Sequence, residues 1–397
     1  MIIGYAQQGI TPSLERPVYL AGFAQNRLAT EVHDELTVRA LALREDGRSV
    51  VLVALDLIGF FQFHVQEVIR RVRARTQEPV PPDILIASLH PHDGPDTMGL
   101  WGPDTQTSGV DPLYLEQVIE RSTQTILAAL ADRREAASLK TASLRVPGLA
   151  KNARDAHILD DELAVLQFLD RDGKPLVSLF DFACHPEVLW EHNTRISADY
   201  VGYLRQAVER QTGAACIFFS GALGGMMTPD VKDHSFEECR TIGEGLASAG
   251  LEALAGARPV LAQGLSFASR PVQAKLTNIL YKLAFGRKLL RDVRDRRGFI
   301  HSQVNLIKIG PAWFATLPGE LLPKLGLRLK EEMKASGAGL AAVICLANDE
   351  LGYILPPEDF RFPLNPFKPG KHYEETNSIG RGIAPAVLDG LRELLHG

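Results

Sequence analysis

His90 and His92 stand two residues apart in "IASLHPHDGPDTMGLWGP" (86–103), at the end of an apolar run. In an extended chain such residues point to one face. Pro91 ends the run between them, so the pair sits at a strand exit, where functional groups of α/β folds gather. Two imidazoles on one face suit a metal site, or one ligand plus a general acid/base. The spacing alone is weak, because two hydrogen-bonded surface histidines give the same pattern. His185 adds to it: "LFDFACHPEVLW" again runs apolar, then histidine, then proline. A catalytic zinc takes about three protein ligands and keeps an open position for water. His90, His185 and a carboxylate satisfy that, and spacing does not choose the carboxylate. Gly94 and Pro95 would let the loop after His92 fold closely over a ligand.

The elements that must position these residues alternate between strand and helix patterns. Runs 49–60, 81–90 and 215–221 are buried-strand patterns. The stretch 163–185 predicts a hairpin turning at Asp172-Gly173, and 306–320 predicts two strands across a Gly-Pro turn. Helical periods cover 64–77, 197–213 (with Gly213 as the stop), 235–256, 322–337 and 384–397. Asp111 caps a further helix to about Asp132, apolar at Leu113, Ile119, Ile126 and Leu130. The basic stretch within 256–301 reads as an insertion, a lid or, most plainly, a solvated helix. This alternation implies an α/β protein with mixed sheets covered by helices.

Bulk properties narrow the function classes. The chain has 397 residues, 45% of them hydrophobic, enough for two or three domains or one large α/β domain. A formal charge of -5 with both signs interspersed argues against nucleic acid and against a polybasic membrane patch. Cys184, Cys216, Cys239 and Cys345 form no CxxC pair, so neither a thiolate zinc site nor a disulfide framework is expected. That usage predicts a reduced, cytoplasmic protein. The N-terminus carries no signal-peptide pattern, and the longest apolar stretch, 214–227, is too short and Gly-broken to span a bilayer.

With those residues in view, "LHPHDGP" resembles the "HTHSGP" region of the neutral/alkaline (non-lysosomal) ceramidase family. "YLAGFAQNRLATEVHDELTVRALAL", "ISADYVGYL", "SGALGGMMTPD", "LPGELL" and "ANDELGYILPPEDF" follow in that family's order over nearly the whole chain. The resemblance implies a single large zinc-dependent amidase domain over 1–397. The chain ends too early for the family's C-terminal immunoglobulin-like domain. By motif, the resemblance makes His90, His185, Glu320 and Tyr353 the Zn²⁺ ligands. It places His92 at the substrate or its oxyanion, with Arg154 in "KNARD" and Tyr373 in "HYEETNS" as further catalytic groups. Gly94, Gly224, Gly225 and Thr228 fall in the substrate-binding segments, and Glu187 beside His185 is a candidate partner for a ligand. The implied chemistry is attack of metal-activated water on the carbonyl of an amide or ester in a small-molecule or lipid-like substrate.

Departures from the family's pattern bear on that substrate. "HPHD" replaces "HTHS". In "GMMTPD", Met226 and Thr228 stand where the family has an aspartate and a serine. Lactones, aryl esters and phosphotriesters are alternatives for an open metal site. So is a non-catalytic lipid- or carbohydrate-binding role. A serine hydrolase is disfavoured, because Phe218 occupies the first glycine of the GxSxG elbow around Ser220. A phosphate loop is disfavoured because no Lys-Ser/Thr follows the glycines. Alone, Glu320 could be a helix-start carboxylate, Tyr353 a half-buried aromatic, Arg154 a surface partner of Asp155 or Asp160, and Asp199 a helix cap.

Overall fold

The computed structural model describes residues 1–360 and 373–397. Three mixed sheets, with helices covering them, make up the α/β architecture. In the first, Asp83–Ser88 runs parallel to Arg48–Leu55, which forms an antiparallel hairpin with Thr37–Glu45, followed by Ile2–Gly9. The hairpin turns on Asp46-Gly47, both at positive φ (49° and 77°), the backbone that short hairpin loops demand. The second sheet orders Ala215–Ser220, Pro175–Phe182, Glu162–Leu169 and Ser138–Arg145. The third orders Leu265–Lys275, Phe299–Ile309, Ala312–Thr316 and Leu340–Ile344.

The helices follow their sequence signals closely. Asp111 accepts from the Leu113 N–H and caps Pro112–Ala131. Ile119, Ile126 and Leu130 are buried there, but Leu113 is 69% exposed, because the first turn overhangs the sheet. Gly213, at φ 67°, closes Asp199–Thr212. Asp199 is the first helical residue rather than the cap, and its carboxylate accepts from Leu189 N and Tyr200 N.

Two sequence expectations need correction. The strand read over 49–60 stops at Leu55, because the Asp56 carboxylate is claimed by Thr37 N, Thr37 Oγ1 and a two-pronged contact from Arg205. The turn after it frees carbonyls that matter below. In 256–301, Leu265–Lys275 pairs residue by residue with Phe299–Ile309. The basic stretch 287–298 is turn and coil, not a solvated helix. Asp295 accepts from Arg297 N and Phe299 N, and Asp292 from Arg294 N. Such local side-chain bonds compete with the helical ladder.

Each sheet contains one parallel pair, and the C-terminal ends of all three pairs meet. Ser88 N donates to Leu346 O (3.1 Å), Cys345 N to Ser220 O (3.0 Å), and Ser220 Oγ to Leu89 O (2.8 Å). Asn348 bonds Ile86 through both its backbone and side chain (2.7 and 2.8 Å). The Ser220 hydroxyl therefore ties two sheets together. Arg205 and Asp56, 3% and 1% exposed as side chains, brace the same junction. Arg205→Ala would leave Asp56 buried and uncompensated. We expect a loss of about 3–5 kcal/mol in urea unfolding, and a loss under 1 kcal/mol would refute this role.

Candidate metal centre

The junction of the sheets delivers the chemically active side chains. His90 follows Asp83–Ser88 and His185 follows Pro175–Phe182. Glu320 and Tyr353 are direct partners in a short parallel ladder formed by Glu320–Leu321 and Tyr353–Ile354. His90 is not in a strand, so the alternation argument does not apply to it. Its φ of 69° turns the ring inward instead. His90, His92, His185, Glu187, Glu320 and Tyr353 are all at most 6% exposed.

One nitrogen from each of His90, His92 and His185 lies within 4.8 Å of the others. Their ring centroids are 5.2, 5.3 and 5.5 Å apart. Glu320 sits against two of them, with Oε1 3.7 Å from His90 Nε2 and Oε2 3.1 Å from His185 Nε2. The other ring nitrogens are engaged by backbone. His90 Nδ1 meets Ile58 O, and His185 Nδ1 meets Met227 O at 2.8 Å. If the Nδ1 atoms donate, both Nε2 lone pairs face the centre, the arrangement typical of metal-binding histidines. His92 differs. Its Nδ1 lies 2.9 Å from Glu187 Oε2 without hydrogen-bond geometry, and neither ring nitrogen has a hydrogen-bond partner among the described residues. This nitrogen-and-carboxylate donor set fits a divalent ion such as zinc.

The electrostatics agree with tight mutual dependence. Burial alone would raise the Glu320 pKa, but His90 and His185 hold it below the usual carboxylate range. Glu187 behaves alike, with burial opposed by His92 and His185. Burial drives His90 down to about 3. His185 goes the other way, to about 9, because Glu187 and Glu320 overcome its burial.

The remaining expected residues spread around this core. The Tyr353 hydroxyl is 3.7 Å from Met226 Sδ, and burial, then Glu320, pushes its pKa well up. The ring of Tyr373 lies 5.7 Å from that of Tyr353, and Tyr373 is 44% exposed. Arg154 pairs with neither Asp155 nor Asp160. Its guanidinium donates to Glu374 (2.6 Å) and lies 4.0 Å from Glu375. Thr228 is buried in Met227–Pro229, the segment whose Met227 carbonyl meets His185 Nδ1. His192 is on the surface, away from the cluster.

The glycines behave differently from one another. A methyl group on Gly94 would make only ordinary contacts, at 3.6 Å or more. On Gly224 it would strike Glu320 O at 2.6 Å, and on Gly22 the His92 ring at 2.3 Å. Gly224 thus lets one backbone press against the segment carrying Glu320. Gly22, the Ile58 and Met227 carbonyls, and Arg27 carried no sequence signal. Arg27 donates to His92 O and lies 3.6 Å from Asp93.

No family model matches the sequence, and no curated protein matches it. Solved structures do. The neutral ceramidase from Pseudomonas aeruginosa superposes with a TM-score of 0.79 at 18% identity, over 99% of this chain and 73% of that one. A ceramidase complexed with C2 gives 0.78 at 16% identity, over 99% and 74%. The chain has the neutral ceramidase fold. No described helix is long and apolar enough to cross a membrane.

Two predictions follow from the geometry. If the cluster holds a divalent ion, Gly224→Ala, which displaces Glu320, should weaken its binding about tenfold or more, read by competition with a chromophoric chelator. Metal must also expel the proton of His185, whose pKa of about 9 lies above neutrality. Apparent affinity should therefore rise by up to about tenfold per pH unit between pH 6.5 and 8.5. A flat profile would contradict the assignment.

Proposed function

We propose that this protein is a zinc-dependent hydrolase that cleaves an amide or ester carbonyl. The observation that carries this reading is the buried cluster of His90, His92, His185 and Glu320 where three sheets meet, on a fold shared with ceramidases. His90, His185 and Glu320 would hold the ion, with the Tyr353 hydroxyl beside them. A zinc ion there supplies Lewis acidity and a water acidified towards neutral pH.

The chain's own groups do the rest. Glu187 fixes the His92 ring through Nδ1, leaving Nε2 to donate to a carbonyl oxygen as it gains charge. Tyr353 stays a neutral phenol, since burial and Glu320 oppose its ionisation. Arg154 acts through Glu374, holding in place the segment that begins with Tyr373. Phe23 packs its edge on His92 (4.7 Å) and lies 4.9 Å from Trp190, an apolar wall suited to an amphipathic substrate. N-acyl compounds are the first candidates, because the solved relatives are ceramidases. A broader esterase, lactonase or phosphotriesterase is the second reading, since an open metal site accepts such substrates.

A panel of N-acyl amides, aryl esters, lactones and phosphotriesters tests both readings. Turnover of at least one class should disappear with chelator, return with zinc, and be lost in His185→Ala. His92→Ala should keep its zinc while kcat falls about 10²–10³-fold. Chelator-insensitive turnover, or an unchanged kcat in His92→Ala, would contradict the mechanism.

A further inference from the structure

A cavity of about 300 Å³ is walled in part by Asp349, Glu350 and Leu351, and none of His90, His92 and His185 lines it. That volume is at the lower end of small-molecule sites. Phe61, Phe63, Tyr281 and Phe285 form much of its wall. Phe61 and Phe63 stack at 5.5 Å, and Tyr281 meets Phe285 edge-on at 6.4 Å. Three carboxylates line it: Asp292 is bonded by Arg294, and the two buried ones, Asp349 and Glu350, differ. Asp349 is satisfied, accepting from Gln62 N (3.0 Å), Glu350 N (2.9 Å) and Ser302 Oγ (2.9 Å). Glu350 accepts from Gly352 N through Oε1 (2.9 Å), while Oε2 is buried with no hydrogen-bond partner among the described residues. Glu350 itself is 4% exposed.

We propose that this cavity is a second binding site, for a small apolar amine, with Glu350 as its counter-ion and the aromatic rings as its walls. A buried carboxylate oxygen without a donor is costly, and a cation offsets that cost best. Ring faces attract the same charge. The lining already shows the preference: Arg291, itself part of the wall, lies 4.7 Å over Phe63. A neutral alcohol of the same shape would satisfy the rings but not the charge, so discrimination between the two is the signature of the site. The site does not depend on the hydrolase reading; burial and then Glu320 push the Glu350 carboxyl up, and a bound ammonium pulls it back towards the ionised form.

Calorimetry with 2-phenylethylamine and with 2-phenylethanol tests this on the zinc-loaded protein. The amine should bind at least about tenfold more tightly than the alcohol. Glu350→Gln should erase that preference while leaving alcohol binding in place. Phe63→Leu keeps the bulk but removes a ring face, and should weaken the amine several-fold without touching the alcohol. This variant decides the matter if Glu350→Gln fails to fold. The preference should persist in His185→Ala, which separates this cavity from the metal centre. Equal binding of the two probes, a preference that survives Glu350→Gln, or one lost in His185→Ala would overturn the proposal.

Discussion

Three imidazoles and two carboxylates are held out of water at one point, and the rest of the structure is arranged around that burial. Any one of these groups alone would be expensive to bury. Together each becomes the reason the next is tolerated. Glu320 rests on His90 and His185, Glu187 rests on His92, and backbone carbonyls take the remaining nitrogens. Among the described residues, the ring nitrogens of His92 are left without a hydrogen-bond partner.

This arrangement requires that distant segments arrive together. His90, His185 and Glu320 come from three different sheets, each delivered near the C-terminal end of a parallel strand pair. Ligand sites of open α/β sheets form at such ends because the loops there are free to vary while the strands are not. Here the ends are also hydrogen-bonded to one another, through Ser220, Leu346 and Asn348. The histidine cluster is thus anchored by the sheets. The Arg205–Asp56 pair adds to it from beneath, next to the turn that supplies the Ile58 carbonyl.

Much of this was legible in the sequence, but unevenly. The apolar run ending in histidine and proline marks a strand exit, and both His90 and His185 lie at one. Asp111, Asp172-Gly173 and Gly213 mark caps and turns because their local chemistry decides them. Glu320 and Tyr353 were reachable only through the resemblance, since no local pattern relates a glutamate to a histidine 135 residues earlier. The backbone carbonyls on His90 and His185 have no side-chain signature at all. In the glycine-rich loop at 221–225, Gly224 lies close against the Glu320 segment, a contact between distant segments that no local pattern signals. The basic stretch 287–298 misled because its charges resemble a solvated helix, while its aspartates bond their own backbone.

The central claim is that the joined sheet ends form one nitrogen-and-oxygen metal site. X-ray absorption at the zinc edge of the loaded protein tests it most directly. The account predicts a first shell of only nitrogen and oxygen at about 2.0–2.2 Å, with two imidazoles, collapsing in His185→Ala. Failure to take up zinc, or sulfur scattering at about 2.3 Å from one of the buried cysteines, would contradict it.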